Sequence, residues 1–254
     1  MAKRKELALT FDGSYEGFLC VVYAYYYDWI APLSIQAEDD YQQVLDADEY
    51  YVATDFQKAA RVQAGIRRKI SAQAENYLTY AFLASGEARY MDMFRYVLLG
   101  FNTGAGVDSH LQKDYVLGVH KRARYVGREA HLLSGFCRFA ETNQGVFYCD
   151  ISPVNNVLPI LAEHFQDRMM NQAWIIHDKK RHQAAIYNSS QYMIGDVPKL
   201  AQVEYSSKEQ QIQDMWRAFF SAVTIKERTN KTLQRNLLPL HFRKFMTEFS
   251  RQSD

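Results

Sequence analysis

Arg, His, Glu and Asp are mixed most densely with apolar residues between Lys121 and Tyr187. The centre of that stretch reads R-E-A-H-L-L-S-G-F-C-R-F-A-E over Arg128–Glu141 and G-V-F-Y-C-D-I-S-P over Gly145–Pro153. It continues as N-V-L-P-I-L-A-E-H-F-Q-D-R over Asn156–Arg168 and W-I-I-H-D-K-K-R over Trp174–Arg181. Two kinds of chemistry suit such residues. His131, Glu141 and His164 are candidate proton-transfer groups. Arg138, Arg168 and Arg181 are candidates for holding an anion by charge-assisted hydrogen bonds. Lys121, Arg124 and Arg128 repeat at helical spacing, so they form either a line of phosphate contacts or an ordinary solvated face. His177 and Asp178 do not make a catalytic pair, since neighbours on a strand point to opposite faces. A hydrogen-bonded structural His164–Arg168 pair is the alternative to a semi-buried anion clamp.

Several chemistries are disfavoured. The glycines of Gly100–Ser109 follow no strand and end in no Gly-Lys-Ser/Thr, so they do not make a phosphate loop. Cys20, Cys137 and Cys149 are widely spaced with no C-x-x-C, which argues against a disulfide framework, a zinc site or an iron–sulfur cluster held by this chain. Cys137 and Cys149 could face each other across a hairpin as two small buried side chains. No metal ligands and no cofactor are assigned to the chain itself.

The elements that must position these groups follow from periodicity. Leu7–Phe11 reads as a strand ending in an Asp12-Gly13-Ser14 turn, and Ser14 caps a helix over Tyr15–Trp29 that Pro32 stops. Short strands are expected at Val44–Leu45 and Tyr50–Val52, then helices over Phe56–Ile70, Ala72–Ser85 and Ala88–Phe101. A longer helix runs from Ser109 to about Leu133 on a stripe of Val116, Val119, Ala123, Val126, Ala130 and Leu133. Gly135–Glu141 and Val146–Ile151 read as one hairpin, Trp174–His177 and His182–Tyr187 as a second, with a helix from Asn156 between them. On that helix His164 and Arg168 are expected on or beside the apolar stripe. Ser190–Ile194 is a further strand candidate. Ile212, Met215, Trp216, Phe219 and Val223 form the stripe of a helix over Lys208–Val223, and Pro239 splits the basic tail Ile225–Phe249.

These elements predict an α+β fold, a hairpin-rich antiparallel sheet covered by helices and sharing the N-terminal strand. The expected organisation is a single domain over residues 1–254. Its helical layer covers about 55–133, its sheet-containing core about 1–54 and 134–205, and its helical tail 206–254. The chain has 48% hydrophobic and 23% charged residues, which excludes a disordered chain. Thirty Lys+Arg against 29 Asp+Glu leave a net charge of +1, so phosphate binding needs a local patch rather than a global field. Eighteen Tyr offer rings that both pack and stack. There is no signal-peptide pattern and no run of roughly 20 apolar residues, so a cytoplasmic protein that does not enter the membrane is expected.

Five blocks in order give a resemblance across nearly the whole chain. They are F-D-G-S-x-E-G-F-L-x (Phe11–Cys20), R-E-x-H-x-x-x-G-F-x-R-F-x-E (Arg128–Glu141), H-F-x-x-R (His164–Arg168), W-x-I-x-D-x-x-R (Trp174–Arg181) and I-x-E-R-x-N-x-x-L-Q-x-x-x-P (Ile225–Pro239). In these the chain resembles a family of uncharacterised bacterial proteins named for DNA metabolism or DNA repair. The resemblance implies a DNA partner and a neighbouring radical-SAM protein of DNA modification or repair, which would carry the iron–sulfur cluster and SAM. Some relatives are fused to a uracil-DNA-glycosylase-like domain. This chain ends soon after the basic tail, so that activity is not carried over, and Leu240-His241-Phe242 departs from the commoner basic-aromatic tail. Three readings stay open: a DNA-binding or accessory protein, an enzyme such as a hydrolase or nuclease acting on damaged DNA, and a scaffold.

Overall fold

A computed structural model describes residues 4–40, 42–44, 47–86, 88–197, 203–224 and 230–249. Its contacts gather into two compact units, Met1–Gly127 and Arg128–Asp254. The fold is mixed α/β, with a three-stranded sheet, a mostly antiparallel five-stranded sheet and flanking helices.

The N-terminal unit starts with β1 (Lys5–Phe11), α1 (Tyr15–Tyr27), β2 (Ile30–Ala37) and β3 (Glu49–Tyr51). β1 lies in the middle, and both neighbours pair with it in parallel, giving the order β2-β1-β3. The expectation that β1 shares a sheet with the hairpins is therefore corrected, because its partners are β2 and β3. Pro32 lies inside β2 rather than merely ending a helix. The register slips beside it, with Leu7 opposite Pro32 and Ala8 opposite Ser34. A bulge on an edge strand is where a residue without an N–H is tolerated. Val44 lies outside any strand, and Leu45 lies outside the described residues.

The F-D-G-S block is a tightly fastened strand-to-helix turn. Asp12 Oδ1 accepts from the Ser14 N–H at 3.0 Å and the Ser14 hydroxyl at 2.6 Å, and Thr54 donates to Asp12 Oδ2 at 2.7 Å. The Ser14 oxygen in turn accepts the Gly17 N–H at 2.9 Å, capping α1. Burial alone would raise the Asp12 carboxyl, but the Ser14 and Thr54 hydrogen bonds outweigh it and its pKa is lowered. Gly13 takes φ 77°, and any Cβ on Gly17 would run into the Asp12 carboxylate.

Asp55 and Ser71 cap α2 (Phe56–Lys69) and α3 (Ala72–Phe82), and α4 (Arg89–Thr103) follows. Gly100 belongs to α4, and a 3-10 turn over Gly104–Ser109 replaces the expected longer loop. The apolar faces of these helices close on α1 and the sheet around Phe11, Phe18, Ile66, Leu78, Tyr90 and Met93, all at most 1% exposed. Phe11 and Tyr90 meet edge to face at 5.0 Å. α5 (Asp114–Phe136) buries the expected stripe from Val116 to Leu133.

Because α5 runs to Phe136, the first strand of the expected hairpin shrinks to β4 (Ala140–Glu141), paired antiparallel with β5 (Phe147–Ile151). β5 then pairs in parallel with β6 (Trp174–Asp178), the crossover being α6 (Leu158–Arg168). The second hairpin, β6 with β7 (Gln183–Tyr187), forms as expected, and β8 (Tyr192–Asp196) adds an edge strand. α6 buries Leu158, Leu161, Ala162 and Phe165. That stripe is centred about a third of a turn from His164, so His164 and Arg168 are exposed and the expectation of a half-buried pair is corrected. α7 (Ser207–Val223) is capped by Ser206, but its apolar stripe is not buried: Met215 is 64% exposed and Phe219 57%. α8 (Lys231–Leu237) and α9 (Leu240–Arg243) flank Pro239; residues 225–229 of the tail lie outside the described residues. No helix among the described residues is long and apolar enough to cross a membrane.

Candidate nucleic-acid interface

In the N-terminal unit, a groove of about 570 Å³ opens between α1, α2 and α4. α2 carries Lys58, Arg61, Arg67, Arg68 and Lys69 and not one carboxylate. Arg61, Arg68 and Lys69 line the groove, together with Tyr26, Tyr27 and Phe101. Tyr27 is 49% exposed, and the Arg61 guanidinium lies 4.6 Å from its ring centre. Tyr23 stacks behind Tyr27 at 4.3 Å, and Tyr26 meets Phe101 edge to face at 5.5 Å, so the rings are held in place. Burial pushes the Tyr26 phenol up to about 12, which keeps that ring neutral. Among the described residues Arg61, Arg68 and Lys69 have no carboxylate partner, while Arg67 is engaged by Glu75 at 3.7 Å. Unpaired cations interleaved with flat, rigid rings can hold phosphates and stack bases at once.

The groove was legible only in part. Arg67-Arg68-Lys69 is a run of three cations that by itself reads as a solvated helix face, and its aromatic partners come from α1 and α4. Only the packing of three helices brings them together.

The residues singled out in the sequence have other placements. Lys121, Arg124 and Arg128 are all exposed on α5 and make no ion pair among the described residues. His131 is exposed too. No hydrogen bond among the described residues joins any two of His131, Arg138, Glu141, His164 and Arg168. Arg138 is instead spent on Glu248, at 3.2 Å from Nε and 2.7 Å from Nη2, and Trp216 Nε1 donates to the same carboxylate at 3.2 Å. Burial alone would raise Glu248, but the Arg138 hydrogen bonds prevail and lower it. Glu141 contributes backbone, its N–H donating to Glu209 Oε2 at 3.0 Å.

The remaining polar blocks fasten loops. Asp178 is wholly buried; it accepts the Lys180 N–H at 2.9 Å and Arg181 Nη1 at 2.9 Å. Arg181 then reaches the Val154 carbonyl at 2.7 Å. Glu129, unremarked in the sequence, is 8% exposed and takes the N–H groups of Val154 and Asn155 at 2.7 and 2.8 Å. From both sides, these buried charges clamp the turn ahead of α6.

One constellation was not foreseen. Asp150 lies opposite His177 in the β5–β6 register, and Tyr148 donates to Asp150 Oδ1 at 2.6 Å. His177 Nδ1 is 2.8 Å from the Tyr148 oxygen and 3.2 Å from Asp150 Oδ1, which puts its proton there; Nε2 is buried with no partner. Lys179 completes the group 3.3 Å from Asp150 Oδ2. The signal that identifies Asp150 is parallel register, and a hairpin reading of the segment hides it. Among the described residues no group of three or more His, Cys, Asp and Glu side chains is placed to hold a metal ion.

Fold and groove together define a two-unit α/β protein whose first unit presents a basic, aromatic surface. The profile of a domain of unknown function, DUF4130, matches residues 87–248, well over half of the chain. The protein belongs to the DUF4130 family. No curated protein and no solved structure matches it.

Proposed function

We propose that the protein binds single-stranded DNA through the α1–α2–α4 groove and serves DNA metabolism or repair as an accessory factor in the cytoplasm. The observation that carries this reading is the set of three cations, Arg61, Arg68 and Lys69, unpaired among the described residues and interleaved with Tyr26, Tyr27 and Phe101 in one groove whose described lining holds no carboxylate. A single strand exposes its bases, and each base stacked on a ring contributes about 1–3 kcal/mol without regard to sequence. The partner implied by the sequence resemblance is a radical-SAM protein, which would bring the iron–sulfur cluster and SAM; this chain would hold the strand. The enzyme reading through His131, Glu141 and His164 gains no support from contacts, since none of the three side chains bonds to another.

Fluorescence anisotropy with labelled single-stranded and duplex DNA over a series of salt concentrations tests the proposal. Single strands are expected to bind more tightly, with a log–log salt slope of about −0.7 per phosphate contacted. Replacing Arg61, Arg68 and Lys69 together by Gln should flatten that slope by about 2. Tyr27→Leu should weaken binding about tenfold with the slope unchanged. An unaltered slope in the triple variant would return the groove to an ordinary solvated face. The same titration with and without the radical-SAM partner reads the accessory role as a gain in affinity.

A further inference from the structure

A second concavity in the N-terminal unit, of about 500 Å³, is built by two helix faces. Gln73, Asn76, Tyr77 and Tyr80 recur at i, i+3, i+4 and i+7 along α3, and His120 and Arg124 face them from one turn of α5. The volume suits a small ligand. His120 is held firmly: its Nε2 is 2.9 Å from Asp108 Oδ1, and the Tyr96 hydroxyl donates to that same oxygen at 2.6 Å. Its ring lies against Tyr77 at 4.3 Å, with 34° between the planes. The Asp108 contact puts a proton on Nε2, and Nδ1 has no hydrogen bond among the described residues. Among the described residues Arg124 is exposed and without an ion pair, and no carboxylate lines the pocket.

We propose that this pocket binds a nucleoside monophosphate, as a site separate from the strand-binding groove. Tyr77 and Tyr80 supply flat apolar walls for a base. The Gln73 and Asn76 amides each offer a donor and an acceptor, the combination that a base edge presents. Arg124 supplies the phosphate contact, the one Lys or Arg among the described residues of the pocket wall. An inorganic anion would leave the rings and amides unused, and a neutral aromatic molecule would leave Arg124 unused.

Isothermal titration of the full chain with AMP, adenosine, ribose 5-phosphate and inorganic phosphate separates these cases. AMP is expected to bind at least about tenfold more tightly than any of the other three. Arg124→Gln should weaken AMP about tenfold and leave adenosine unchanged, whereas Tyr80→Leu should weaken both. Thermal melting of each variant shows that it is folded; Arg124 and Asn76 are exposed, so their replacement is not expected to disturb the fold. AMP no tighter than inorganic phosphate, or AMP affinity untouched by Arg124→Gln, overturns the proposal. Asn76→Ala should weaken AMP yet leave strand binding in the anisotropy assay intact, and Arg68→Gln should do the reverse. The two sites thus stand or fall separately.

Discussion

Residues that look chemical in the sequence divide into those that fasten the backbone and those left free on the surface. Gly17 shows how strict the first role is. A Cβ there would meet the Asp12 carboxylate and come within 2.8 Å of the Thr54 hydroxyl, in a turn where neither group can retreat without losing the α1 cap. Gly17→Ala is therefore expected to destabilise the protein by about 1–3 kcal/mol in urea unfolding. Thr54→Val, which removes one hydrogen bond to Asp12, should cost about 1 kcal/mol. Equal effects would mean that the close approach of helix and turn is not the constraint. Glu129 belongs to the same class, because two backbone N–H groups lose their acceptor without it. Glu129→Ala should cost about 2–4 kcal/mol through the loop before α6. On the surface, Lys121 and Arg128 have no ion pair among the described residues, so their double replacement by Ala, which leaves Arg124 of the nucleotide pocket in place, is expected to weaken DNA binding equally for all sequences and to flatten its salt slope. An unchanged slope would leave that face merely solvated.

At the scale of elements, local signals were legible and partners were not. Ser14 announces its helix because a cap is a contact within three residues. The β6–β7 hairpin was readable for the same reason. β2 was not, since its partner β1 lies across α1 and Pro32 argues against a strand unless a bulge accepts it. Periodicity likewise found the stripe of α7 but could not say whether anything covers it. Its exposure has a measurable consequence. Phe219→Ser should alter stability by no more than about 0.5 kcal/mol, whereas Leu161→Ala in α6 should cost about 2–5 kcal/mol. The Arg138–Glu248 contact adds a pH dependence. The folded pKa of Glu248 is lowered, so the contribution is complete above its ordinary value of 4.5 and disappears as pH falls through the folded value. In Arg138→Gln the acid-induced change in Trp216 fluorescence should move to higher pH; an unmoved transition would show that Arg138 does not depress the carboxyl.

For the whole molecule, the mixed class of helices and strands followed from short strands grouped in hairpins beside long amphipathic helices, but the separation into two sheets did not. Parallel pairing joins segments distant in sequence, and nothing in Leu7–Phe11 names β2 and β3 as its neighbours. The groove depends on the same non-local packing, since a run of cations on α2 does not name the rings of α1 and α4 that line the groove with it.

The three thiols make the opening of each unit directly observable. Cys20 is 2% exposed and engages the Asp55 backbone, while Cys149 is 1% exposed with its Sγ 3.7 Å from the Asp150 carbonyl; the neighbouring Cys149 and burial push the Cys137 thiol up. Alkylating reagents attack the thiolate, so the buried Cys20 and Cys149 should stay silent until the surrounding structure opens, and the half-buried Cys137, its thiol pushed up, should react slowly before that. One label therefore reports on residues 1–127 and two on residues 128–254. Brief exposure to iodoacetamide at rising urea, read by intact mass, resolves whether the chain gains one, two or three adducts at each step. A single jump from none to three would mean that the whole chain melts as one cooperative body. An intermediate carrying one or two adducts would give each unit its own stability, measured without a purified fragment.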